Sequence, residues 1–153
     1  TQGGQAAFAA IAEIVHLLDA DSTTNWSAVD LEALRQHLID MDAVTLRSRV
    51  RQVRTAGGLV MEVTGTPGVA ASVRRMVGAH APVLDALGGW HASAARIPGG
   101  MRLTVVASNP ADSAAVARIR GLGFIGLMTE GAHHAQHHLM IAKGAGTHAH
   151  VMP

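Results

Sequence analysis

Two glycine turns constrain this chain more than any other feature. Ala56-Gly57-Gly58 and Pro98-Gly99-Gly100 each separate two short runs carrying β-branched or alternating apolar residues. Residues 48–55 with 59–64, and 90–97 with 101–107, therefore read as two β-hairpins, glycine being the residue that tight turns between antiparallel strands accept best. Val50, Val53, Val60 and Val63 supply the β-branched content of the first.

The segments around the hairpins have helical periodicity. Residues 5–20 repeat Phe8, Ile11, Val15 and Leu18 at three- and four-residue spacing, which predicts an amphipathic helix. A second helix is expected over 27–46, with Ser27 as N-cap and a stripe of Leu31, Leu34, Leu38, Met41 and Val44. Thr66-Pro67 has the form of an N-cap followed by proline at the first helical position, and that helix should run to about Leu87. Its stripe holds Val73, Met76, Val77, His80 and Leu84, and Pro82 should bend it near His80. Asn109-Pro110 opens a further helix over about 111–120, followed by a glycine-punctuated apolar stretch, 121–131, and a final helix rich in histidine. The order helix, helix, hairpin, helix, hairpin, helix, helix defines an α+β class: an antiparallel sheet of about four strands covered by about five helices. Residues 1–144 are expected to form a single domain, and 145–153 a flexible tail that carries His148 and His150. His37-x-x-x-Met41 and Met76-x-x-x-His80, each ahead of a Gly-Gly hairpin, suggest an internal duplication.

Composition removes several function classes. The formal net charge is +1, which recommends neither nucleic acid nor an anionic membrane as the main partner. Arg47, Arg49, Arg51 and Arg54 alternate in the manner of a solvated strand face. No apolar run is long enough to span a bilayer. The absence of Cys excludes disulfides, thiolate zinc sites, iron–sulfur clusters and covalent haem attachment. Gly121-Leu-Gly-Phe-Ile-Gly126 spells a dinucleotide-binding motif, but it follows a helix rather than a strand, so it reads as a helix stop with close packing. No Gly-x-Ser-x-Gly elbow is present, which leaves nucleophilic catalysis without support.

Chemistry concentrates in histidine. The chain has ten, and His133, His134, His137 and His138 fall in Gly131–Gly144 beside Met140 and Ile141. At about 100° per residue the four imidazoles occupy an arc of about 140°, and Met140 and Ile141 lie on or beside it, whereas Gln136, Leu139 and Lys143 lie opposite. Imidazoles on an apolar face need partners for their ring nitrogens, and a metal ion supplies one. Two overlapping i,i+4 pairs, His133/His137 and His134/His138, each have the spacing that binds one ion from one helix face. His37 and His80 lie in or beside apolar stripes, with Asp40 and Asp42 close to His37.

The expected function is therefore transition-metal binding for storage, delivery or buffering. His37, His80 and members of the 133–138 cluster are the expected ligands, with Met41 and Met76 beside them. The thioethers of Met41, Met76 and Met128 favour copper over zinc or iron. A metalloenzyme with an open His-ligated position and a noncovalent haem protein are the alternatives. A Cys-free, His- and Met-containing chain that begins at Thr1 suits an oxidising compartment, so a periplasmic or secreted location is expected. A homodimer would follow if the histidine helix packed across a twofold axis.

Overall fold

The computed structural model describes residues 2–131 and 134–145, without the side chains of Gln2, His134, Ala135 and Ala145. The 145–153 tail thus lies, apart from the backbone of Ala145, outside the described residues. The elements are α1 (Gln2–Ala20), α2 (Leu31–Asp42), a π-helical turn (Ala43–Arg47), β1 (Arg49–Thr55), β2 (Gly58–Thr64), α3 (Pro67–Ala86), β3 (Trp90–Ile97), β4 (Gly100–Ala107), α4 (Ser113–Thr129), α5 (His134–Met140) and a second π-helical turn (Ile141–Ala145). The four strands form one antiparallel sheet in the order β1-β2-β4-β3, an α+β fold.

The two hairpins share one turn register. Thr55 pairs with Gly58 around one two-residue turn and Ile97 with Gly100 around the other. The central strands pair antiparallel about Met61 and Leu103, so Gly58 faces Val106 while Thr64 faces Gly100. That register is a pseudo-twofold. A Cβ on Gly58 would overlap Val105 O, and a Cβ on Gly100 would overlap Val63 O, which is why both strands begin with glycine. The helices obey the same symmetry. Arg74 of α3 donates to Ile97 O (3.1 Å) and Gly100 O (3.3 Å). Arg120, at the equivalent position of α4, donates to Thr55 O (2.5 Å) and Gly58 O (3.5 Å). Each repeat is thus a hairpin followed by a helix, and each helix ties down the turn of the other hairpin.

Among the described residues, α3 and α4 are the α-helices that lie on the sheet, with Ala43 and Val44 of the first π-helical turn in the same core. They bury Leu59, Met61, Val63, Leu103 and Val105 against Val73, Val77, Leu84, Val116, Ile119 and Leu127. The remaining helices form a second apolar cluster of Ile14, Leu18, Leu34, Ile141 and Ala142. In α1 the buried stripe is Ile14 and Leu18 with Ile11 at its edge, packed in the cluster with Leu34, Ile141 and Ala142, and Phe8 is left 77% exposed.

Helix ends differ most from the sequence reading in α2 and α4. α2 starts at Leu31, capped by Asp30, whose Oδ1 accepts from Ala33 N–H (3.0 Å), while Ser27 Oγ instead donates to Asn25 Oδ1 (2.6 Å). α4 does not stop at Gly121. It runs on to Thr129 through a break at Gly123, where φ is 62° and Gln52 Oε1 accepts from the Phe124 N–H (2.7 Å).

Candidate metal centre

The site is built by two helices distant in the chain. α2 presents His37 and, one turn on, Met41. α5 presents His137, His138 and Met140. The Asp30 N–H donates to Ala142 O (2.6 Å), and Leu34, Leu38, Leu139, Ile141 and Ala142 pack together beneath α1, so apolar contacts hold α5 against α2.

Three imidazoles meet at this contact. The His37 and His137 ring centroids are 4.7 Å apart at an interplanar angle of 75°. His37 and His138 are 5.6 Å apart at 69°, and His137 and His138 are 6.3 Å apart. His138 is buried, and His37 and His137 are half-buried. An ion bound through a ring nitrogen at about 2.0–2.1 Å lies about 3.2 Å from the centroid, so two imidazoles sharing it have centroids about 4.5–6.4 Å apart. The three separations fall within that interval. Among the described residues, however, no set of three or more His, Asp or Glu side chains is arranged as a metal-binding group. As they stand, the rings pack edge to face.

The other expected ligands are placed elsewhere. His80 on α3 hydrogen-bonds Leu127 O of α4 through Nε2 (3.0 Å), which makes Nε2–H the donor. Burial lowers its pKa, with the Leu127 bond opposing, so the ring is held neutral. Met76 and Met128 pack against the sheet-side core, and Met41 is half-buried on α2. His133 lies outside the described residues, and only the backbone of His134 is described. His148 and His150 also lie outside them.

Acidic side chains of the kind that complete a His–carboxylate site have other partners. Asp40 accepts from Ser72 Oγ (2.7 Å), from Arg75 Nε (2.9 Å) and Nη2 (2.8 Å), and from Gln36 (3.4 Å). Burial alone would raise its pKa, but the Arg75 and Ser72 hydrogen bonds outweigh it and hold the carboxyl below its ordinary value. Asp40 therefore fastens α2 to α3. Asp42 pairs with Arg47 (3.4 Å), Glu62 with Arg51 and Arg102, and Glu130 with Arg118. Sequence reasoning missed the Asp40 link. Its signal was Ser72 and Arg75 at i,i+3 on a helix otherwise rich in apolar residues.

The geometry defines a class, a one-faced α+β sheet with a helical cluster at its flank. No protein-family model, curated protein or solved structure matches the chain. Among the described residues no helix is long and apolar enough to cross a membrane.

Proposed function

We propose that the chain binds a transition metal ion at the α2–α5 contact, through His37, His137 and His138, as a storage, delivery or buffering protein. One observation carries this reading: three imidazoles from helices roughly a hundred residues apart have centroid separations compatible with a shared ion. Small ring reorientations, rather than helix movement, would turn the edge-to-face contacts into ligation. Met41 and Met140, one turn from these histidines, make Cu(I) the favoured ion, since thioethers select soft metals. A periplasmic or secreted location belongs to the same reading, because a Cys-free site tolerates oxidation.

The test is competitive titration of Cu(I) and Zn(II) against chelators of known affinity, with untagged protein. One equivalent is expected to bind, and His37→Ala or His137→Ala should each weaken it at least about a hundredfold. Unchanged affinity and stoichiometry in both variants would remove the α2–α5 site. Equal Cu(I) affinity in Met41→Leu would remove the preference for copper.

A further inference from the structure

The pseudo-twofold is broken at the two sheet edges. On the β3 edge, α3 lies along the strand, and Asp85 Oδ1 accepts from the Ala92 N–H (3.0 Å). That hydrogen bond points out of the sheet. A two-residue turn makes its closing pair hydrogen-bonded, so in β3 the groups of Ala92 and Ala94 face outward, and in β1 those of Val50, Gln52 and Arg54 do. Val50 is the counterpart of Ala92, but α4 ends at Thr129, short of the position Asp85 holds in α3, and it turns aside at Gly123. β1 is left exposed or half-exposed along its whole length.

The same break opens a groove of about 570 Å³ between β1, the first π-helical turn and α4. Its lining is mixed: Val50, Leu122 and Ile125 are apolar, and Thr45, Ser48, Gln52 and Arg120 are polar. Val50 and Ile125 are exposed there, as is Leu46 on the same π-helical turn. β1 carries Arg49, Arg51 and Arg54. Arg51 is paired with Glu62 (3.1 Å), whereas Arg49 and Arg54 make no ion pair among the described residues. Arginine on an edge also discourages self-association, since two copies of β1 side by side would oppose their charges. Residues 146–153 contain no acidic residue to neutralise them.

We propose that the β1 edge docks an extended acidic and apolar segment of a partner protein, which adds as a fifth strand. Its backbone pairs with Val50, Gln52 and Arg54, an apolar side chain enters the groove on the face those three share, and carboxylates on the opposite face meet Arg49 and the solvent-exposed Arg51. The partner's backbone supplies to the Val50 N–H the acceptor that Asp85 supplies to the Ala92 N–H.

The probe is a blocked, fluorescein-labelled heptapeptide, Glu-Val-Glu-Val-Glu-Val-Glu, with the Lys-Val version as its counterpart. Anisotropy should show salt-sensitive binding of the acidic peptide alone. Hydrogen exchange should show new protection at the Val50, Gln52 and Arg54 amides. Arg49→Glu/Arg51→Glu, both at exposed positions on one face of β1, should weaken binding at least about tenfold, and Val50→Pro, which removes an outward donor, should abolish the added protection. Equal binding of the lysine peptide, no protection at these amides, or protection that rises with protein concentration without peptide would each overturn the proposal. The last outcome would assign the edge to a second copy. If Val50→Pro fails to fold, the double charge reversal decides.

Discussion

The sheet layer and the helical flank are built by different means. The sheet layer is made of two copies of one unit, and its core residues meet through tight hairpins and helices that directly follow them. The flank is single. It closes only when α1 and α2, from the start of the chain, meet α5, from its end. Bringing such distant segments together carries a larger loop-closure entropy, and its buried cluster is the smaller of the two. The duplicated layer is thus a scaffold that supports itself. The flank, where the three imidazoles lie, should open at lower free energy. A metal bound across α2 and α5 would act most strongly on the weaker region.

The largest test of this contrast compares two leucines that are both fully buried. Leu103 sits at the pseudo-twofold and Leu34 in the flank. Leu103→Ala should cost about 3–5 kcal/mol, and lower protection against hydrogen exchange throughout the molecule. Leu34→Ala should cost about 2–4 kcal/mol locally, releasing amides of α1, α2 and α5 while β2 and β4 stay protected. Uniform loss of protection in Leu34→Ala would mean that the two regions unfold as one unit, and the contrast would fail.

The joint between the regions is the next target. Asp40 is the buried carboxylate on which Ser72, Gln36 and Arg75 converge. Asp40→Asn should cost about 1–3 kcal/mol, chiefly because the buried Ser72 hydroxyl loses its charged acceptor. The Arg75 share is discounted, since that side chain is 55% exposed and screened by solvent. The Asp40 pKa is lowered in the folded state, so its contribution is complete above the ordinary carboxylate pKa of about 3.9 and is lost as pH falls through the lowered value. Urea unfolding of the variant and the parent across that window should converge at its acid end. A constant gap between them would show that Asp40 acts by packing alone.

The sheet layer was legible because its determinants are local. Gly57-Gly58 and Gly99-Gly100, Pro67 at a helix start and the alternation of β2 and β4 each specify their own neighbourhood. His37 stands in the expected ligand set with the α5 histidines, but no spacing rule says that α2 packs on α5. What periodicity could not convey was tertiary choice. Phe8 fits the apolar stripe of α1 as well as Ile14 does, but Ile14 is buried in the cluster with Leu34 while Phe8 is exposed. His80 sits in an apolar stripe as a ligand would, yet its ring nitrogen is satisfied by one carbonyl of a neighbouring helix, a contact no spacing rule encodes. Asp40 and Arg75 are one strong pair that reads in sequence as two ordinary surface charges.

His80 supplies the smallest and most selective test. Its pKa is lowered by burial, so the folded state favours the neutral ring. The stability this brings is present above the ordinary histidine pKa of about 6.5 and is lost as pH falls through the lowered value. His80→Gln keeps an N–H donor for Leu127 O and cannot titrate, so its stability should decline less than the parent's below about pH 6.5. The location of the change also matters. Protonation of His80 should loosen α3 against α4 within the sheet layer, and hydrogen exchange at mildly acid pH should rise there. If His80→Gln leaves the acid-side decline unaltered and exchange rises instead in α2 and α5, the pH sensitivity belongs to the flank.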